Sequence, residues 1–278
     1  MSLLKIENLT VTFPTNKGPI DVVKNFSLDM QREKIGIVGE SGSGKSMTAR
    51  ALLGLIRSPG TVTAETLELD GQSLKNLSDK EWRKIRGKGI SMIMQDPKYS
   101  LNPVMTIKDQ MVETWRLHHK SSKSEALKAA INSLEEVSIR DPERVLNSYP
   151  HQLSGGMGQR IMIAMMLMPQ PKILIADEAT SALDVTVQRQ VLDILDQAAQ
   201  KHNSGLILIS HDLPMVADFC DKIIVMYRGH IVEVLEAGEL KNAEHPYTQG
   251  LLSCLPSYDK RGEELSVLKR DPSWENAS

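Results

Sequence analysis

The run Gly39-Glu40-Ser41-Gly42-Ser43-Gly44-Lys45-Ser46 fits G-x-x-x-x-G-K-[ST], a loop whose backbone N–H groups can close around a phosphate chain. Its glycines let the backbone approach phosphate oxygens with no Cβ in the way. Lys45 brings a point charge to the β- and γ-phosphates, and the Ser46 hydroxyl brings a ligand for Mg²⁺. Other candidates stand at the ends of apolar runs. Asp177-Glu178 follows Lys172–Ala176. Adjacent acids there point to opposite sides, so Asp177 suits a Mg²⁺ shell and Glu178 a water in line with the γ-phosphate; the plain alternative is two surface acids in a turn. Gln95 ends the run Ile90–Met94, where a polar side chain can reach a metal or an attacking water. His211 ends Gly205–Ser210 and is either a γ-phosphate contact or a satisfied structural histidine. Ser154 can cap a helix with Gly155 and Gly156 at its start, a second anion-binding end. Phe13, upstream of the loop, either stacks on a nucleobase or packs in a small β-layer.

Positioning these groups takes strands and helices whose patterns are legible. Ile35–Val38 reads as the buried strand that delivers the loop, and Ser46 to Ile56 as the helix whose positive end faces the anion. Leu3 to Met30 predicts two alternating strands joined by a turn, an antiparallel start, and Gly60 to Asp70 predicts another strand pair. Ser78 is a plausible N-cap for a short basic helix, Asp79 to Arg86, whose charges make a solvated face. Helices are then expected over 107–119, 124–137 and 142–149, as a helical insertion at about residues 104–168 that ends with the helix Gln159–Met168. The Met-rich face of that last helix suits core packing better than a cofactor. Val185–His202 is amphipathic; Lys222–Tyr227 and His230–Leu235 flank Arg228-Gly229 as a hairpin. A final helix is expected over Pro246–Leu255. Residues 1–256 are read as one domain and 257–278 as a polar, loosely held extension.

Bulk properties restrict the function. The chain has 278 residues, 41% hydrophobic and 24% charged, as in an ordinary globular protein. A net charge of −2 argues against broad binding to nucleic-acid phosphates. Cys220 and Cys254 form no C-x-x-C, and no secretory signal precedes the first strand, so a reducing cytosolic setting is expected. No apolar run approaches the ~18–20 residues of a membrane span.

Together, Gly39–Ser46, Gln95, Leu153–Met157, Ile173–Glu178, Ser181–Asp184 and His211 resemble the motif set of an ABC-type ATPase subunit, in the family's order. Gln95-Asp-Pro with Ser100-Leu-Asn-Pro103, and His245-Pro-Tyr-Thr248 with Leu251-Leu-Ser253, resemble the ATPase subunits of the peptide/nickel importer family. The resemblance covers about residues 3 to 256 and implies an α/β P-loop NTPase fold: a RecA-like core with an antiparallel β-subdomain and an inserted α-helical subdomain. It implies that two subunits, identical or paralogous, sandwich ATP head to tail, the Ser154–Gly156 end of one facing the phosphate loop of the other.

Carried over residue by residue, Phe13 would stack on adenine, and Gly39 to Ser46 with Met47 would bind the nucleotide. Ser46, Gln95 and Asp177 would hold Mg²⁺, Glu178 would be the catalytic base, His211 would hold the γ-phosphate and Asp184 would couple the two sites. Gln95 and the helical insertion would receive cytoplasmic helices of permease subunits. An extracytoplasmic solute-binding protein would complete the complex, peripheral to the cytoplasmic face of the membrane. The implied activity is ATP hydrolysis driving uptake of short peptides or, alternatively, of nickel or a metal chelate. An ABC ATPase of DNA repair or translation would call for a long coiled-coil insertion or a second cassette, and a P-loop kinase gives no reason for Leu153–Met157. Three departures stand out. Gly158 replaces the usual Arg, at roughly 1 kcal/mol of helix propensity. Gln31-Arg32 replaces a glycine turn, and only Cys254 occupies the region where many relatives carry a cysteine cluster, so an iron–sulfur cluster is unsupported.

Overall fold

The computed structural model describes residues 2–94, 100–180, 184–255, 271 and 274. In chain order its elements are β1 (Leu4–Thr15), β2 (Gly18–Met30), β3 (Lys34–Val38), α1 (Lys45–Leu52), β4 (Thr61–Thr63), β5 (Thr66–Leu69), β6 (Gln72–Ser73), α2 (Asp79–Ile85) and β7 (Ile90–Ile93). They continue as α3 (Ile107–His118), α4 (Lys123–Glu136), α5 (Pro142–Leu146), α6 (Gly155–Leu167), β8 (Ile173–Asp177), α7 (Val185–His202) and β9 (Gly205–Ser210). The chain closes with α8 (Leu213–Phe219), β10 (Lys222–Tyr227), β11 (His230–Glu236) and α9 (Pro246–Ser253). It divides into two compact units, residues 1–75 with 208–278, and residues 76–207.

In the first unit the expected antiparallel start is present: β1 and β2 pair from Leu4 opposite Met30 to Thr15 opposite Gly18. Strict alternation would turn Leu9 and Val11 outward after Leu4 and Ile6. A register shift between Ile6 and Leu9, with Asn8 at φ 52°, returns both to the buried face. The strand pair expected over Gly60 to Asp70 is different in kind. β4 and β5 each pair with β1, at Thr10 opposite Thr63 and Leu4 opposite Leu69, because the long β1 offers backbone partners to both. β3 is parallel to β10, Ile35 opposite Lys222 and Val38 opposite Val225, and β10 turns back into β11. The helix expected to reach Ile56 ends at Leu52, where Gly54 at φ 60° leaves the helical region.

In the second unit β7 and β8 are parallel, Ile90 opposite Ile173 and Ile93 opposite Ala176, and all of β8 is buried. Its helices begin at polar caps. Thr106 accepts from the Asp109 N–H, Ser122 and Glu125 form a capping box, and Asp141 precedes Pro142 at the first helical position. The expected 142–149 helix stops at Leu146 and resumes as a 3₁₀ turn, Pro150–Gln152, because Pro150 disfavours helical geometry at Tyr149. Among the described residues no helix is long and apolar enough to cross a membrane.

Candidate functional site

The phosphate loop leaves β3 and enters α1 without a side-chain cap; Gly44, at φ 104°, is the N-cap. The loop thus runs directly into the positive end of α1. Lys45 is only 5% exposed, and its Nζ donates to the carbonyl oxygens of Gly39 (2.7 Å) and Glu40 (2.9 Å). In this unit backbone dictates the glycine at Gly229, where a Cβ would lie 2.9 Å from the Val22 carbonyl oxygen, and at two positions of the loop itself. A Cβ on Gly39 would lie 2.2 Å from the Met226 carbonyl oxygen, and one on Gly44 2.6 Å from that of Val22. The hairpin turn between β10 and β11 closes on the loop: Gly229 N–H donates to the Ser43 carbonyl (3.0 Å), and Lys24 N–H to that of Gly229 (2.8 Å). Arg228 and Gly229 both have positive φ, 45° and 91°, as a tight hairpin turn demands. This turn helps line a cavity of about 300 Å³ with Glu40, Ser41, Gly42 and Arg228 on its wall. Arg228 is a candidate phosphate contact that the sequence marked only as a turn residue, because its place depends on a pairing remote in the chain.

Ser46 and Met47, half-buried, occupy the first turn of α1. Phe13 lies opposite Ile20 at the far end of the β1–β2 ribbon, half-buried, its ring against Gly60, where a Cβ would come within 2.6 Å of it. His211 follows β9 and is exposed, while Asp212 beside it caps α8 by accepting from the Met215 N–H (3.1 Å). The Gln31-Arg32 turn needs no glycine: Gln31 N–H donates to the Glu33 carboxylate (2.9 Å), which also pairs with Lys222 (2.9 Å).

In the second unit Asp177 is buried at the end of β8, and Glu178 after it is half-buried with φ 49°. A left-handed glutamate is costly, and such conformations cluster at working sites. The turn is held by Gln159 of α6, a buried side chain that donates to the Ala179 carbonyl; sequence reading missed it within a Met-rich helix. Ser154 caps α6 by accepting from the Met157 N–H (3.4 Å) and is exposed. Among the described residues, a Cβ on Gly155 or on Gly156 would meet nothing within 4 Å. Beside this end lies a cavity of about 420 Å³ whose walls include Ser154, Gly156, Arg144 and Arg160. Arg160 is anchored, donating to the Val137 carbonyl (3.1 Å) and to Gln190 Oε1 (2.6 Å). Gly158 is buried and its N–H bonds the Ser154 carbonyl (2.9 Å), so α6 runs through this departure unbroken. Asp184 caps α7, accepting from the Thr186 and Val187 N–H groups at 3.1 Å each. Gln95, Ser181 to Leu183 and nearly all of the 257–278 extension lie outside the described residues.

A buried lysine inside a glycine loop between a parallel strand and a helix, in a mixed α/β protein, defines the class of P-loop nucleoside triphosphatases. Comparison narrows the class. The model of the family described as ABC transporter matches residues 23–181. The dipeptide transport ATP-binding protein DppD of Escherichia coli K12 is 48% identical over 270 residues, 96% of this chain and 83% of that protein. The oligopeptide transport ATP-binding protein OppD of the same organism is 42% identical over 273 residues, 98% and 81%. A dimeric ATP-binding cassette solved in a post-hydrolysis state with ADP and phosphate, MJ0796, superposes with a TM-score of 0.73 at 28% identity, covering 84% of this chain and 98% of its own. CbiO1 of Clostridium perfringens, part of an ABC transporter complex, gives 0.71 at 26%, covering 87% and 91%. The chain belongs to the ABC transporter family.

Proposed function

We propose that this chain is the ATP-binding and ATP-hydrolysing subunit of an importer of short peptides. The observation that carries the nucleotide reading is the preformed loop, with the Lys45 ammonium held at 2.7–2.9 Å by carbonyls that a phosphate can replace. The peptide cargo is supported by the near-full-length likeness to dipeptide and oligopeptide transport ATP-binding proteins.

The site residues fit their assigned chemistry. Gly39 to Ser46 and Met47 bind the triphosphate, Lys45 countering its charge, and Phe13 offers a ring to the base. Hydroxyl and carboxylate oxygens are hard donors that suit Mg²⁺, so Ser46 and the buried Asp177, with Gln95, are its assigned ligands. When bound, Mg²⁺ would offset charge on the β- and γ-phosphates. Glu178 takes the proton of the attacking water, in a turn that Gln159 holds, and His211 binds the γ-phosphate. A second subunit supplies Ser154, Gly155 and Gly156 to each site, and Asp184 links the two. Support for a partner comes from Gly155 and Gly156, where an added Cβ would meet nothing within 4 Å among the described residues.

The complex so assembled includes permease subunits and an extracytoplasmic solute-binding protein, with this chain at the cytoplasmic face of the membrane. The test is reconstitution with the neighbouring permease genes in proteoliposomes, measuring ATP-dependent uptake. Peptide uptake abolished by Glu178→Gln is expected. Near-normal turnover of that variant would sink the assignment of the base, and uptake of nickel or a chelate in place of peptide would move the cargo. Recovery of nucleic acid or ribosomes without membrane subunits would overturn the transport reading.

A further inference from the structure

We propose that Tyr247 is a positioning residue of the phosphate loop, its hydroxyl holding the Gly39–Glu40 peptide against which Lys45 rests, with Trp274 seating its ring. The inference rests on the nucleotide-binding reading above and adds a role for the C-terminal element His245–Thr248.

Four contacts meet on one short stretch of backbone. The Glu40 N–H donates to the Tyr247 hydroxyl at 2.9 Å. The carbonyl of that same peptide unit, Gly39 O, accepts from Lys45 Nζ at 2.7 Å. The next carbonyl, Glu40 O, accepts from Lys45 Nζ at 2.9 Å and from the Ser43 N–H at 3.2 Å, which closes the loop's first turn. A peptide plane bonded at its N–H and at its carbonyl cannot rotate without breaking one of the two bonds, and bonds in such a chain polarise one another. The orientation of this plane sets the resting place of the ammonium that must meet the phosphates. Gly39, at φ 148°, has no Cβ to restrict that rotation. Tyr247 supplies the restraint that the sequence of the loop omits.

Tyr247 is itself fixed. It is fully buried, in the first turn of α9, and its N–H donates to His245 Nδ1 at 3.1 Å. Its ring centroid lies 4.6 Å from that of Tyr227 and 5.7 Å from that of Trp274, which meets Tyr227 edge-on at 5.7 Å. A rigid aromatic body with two torsions delivers a hydroxyl at little entropic cost, and packing by Trp274 removes the remaining ring motion. The C-terminal segment thereby bears on nucleotide affinity although it is distant in sequence from the loop.

The test compares full-length Tyr247→Phe, Thr248→Val and Trp274→Ala with the wild type, measuring the ATP Kd, the Tm and hydrogen exchange of loop amides at residues 39–44. Thr248 is fully buried on the same helix and its hydroxyl has no hydrogen-bond partner among the described residues, so its loss isolates the effect of deleting a buried hydroxyl. Tyr247→Phe is expected to weaken ATP about five- to tenfold and to speed exchange at Glu40. Thr248→Val is expected within twofold of wild type, and Trp274→Ala about two- to threefold weaker. If Tyr247→Phe binds as tightly as wild type, or weakens ATP only together with a Tm loss shared by Thr248→Val, the inference is overturned. If Tyr247→Phe does not fold, Trp274→Ala decides: weaker binding with faster loop exchange supports the role, and wild-type values reject it. A wild-type chain that fails to bind ATP overturns the functional reading instead.

Discussion

A Cβ on Gly39 would lie 2.2 Å from a carbonyl oxygen, and one on Gly44 2.6 Å from another, whereas on Gly155 or Gly156 it would meet nothing within 4 Å among the described residues. Both glycine-rich stretches precede or open a helix, and both read in sequence as anion-binding ends. In the phosphate loop the absence of a side chain is demanded by backbone packed around it, and the loop is tied down by Lys45, Gly229 and Tyr247. At the start of α6 the helix end is capped by Ser154, and among the described residues no atom lies where a Cβ on Gly155 or Gly156 would reach within 4 Å. On the function proposed above, the first stretch is one half of a nucleotide site and the second is the surface that a partner's site would use.

Substitutions can break that contrast. The largest effect is expected where chemistry is lost with both stretches intact: Glu178→Gln should lower ATP turnover of the assembled transporter about 10²- to 10⁴-fold, with ATP affinity and Tm of the isolated chain unchanged. Lys45→Ala acts on the first stretch and should weaken ATP by about 10- to 100-fold in the isolated chain, read by titration calorimetry. The sharpest pair follows. Gly44→Ala forces a Cβ into the Val22 carbonyl at φ 104° and should cost about 1–3 kcal/mol in denaturant unfolding. Gly156→Ala should leave stability unchanged or raise it by up to about 1 kcal/mol, since alanine is the better helix former, while assembled ATPase falls about tenfold or more. Equal destabilisation by the two would erase the distinction.

The smallest effect reports on the frame behind the loop. Cys220, which follows α8, is buried, and burial pushes its thiol from an ordinary 9.0 up to about 12; Cys254 is half-exposed. A thiol reagent at pH 8 should therefore modify Cys254 alone in the native chain, and Cys220 only once Gly44→Ala loosens the unit. The linked stability has a definite sign. Below about pH 9 both states keep the Cys220 proton, and between 9 and 12 the unfolded chain ionises first, so the folded state loses ground as pH rises.

Much of the local structure was legible because period and punctuation are local properties. Val185–His202, Gly205–Ser210 and Lys222–Tyr227 have the expected bounds, and Ser154 caps α6 as its position suggests. The errors came where distant backbone intervenes. β4 and β5 pair with β1 rather than with each other, and α1 ends early at a glycine turn. The ring contacts of Trp274 with Tyr227 and Tyr247 likewise join segments far apart in the chain, which no local pattern foretells.

By itself the sequence determined the phosphate loop, the acid pair at the end of β8, the capped glycine end of α6 and the order of the elements, since these follow from residue type and spacing along one strand or helix. Only the tertiary structure decided that the β10–β11 turn brings Arg228 to the loop, that Gln159 holds the turn after Glu178, and that Tyr247 bonds the Glu40 amide. Each of these is a single contact between segments far apart in the chain. Its partner is chosen by which backbone groups burial leaves to be satisfied, and no local pattern records that choice.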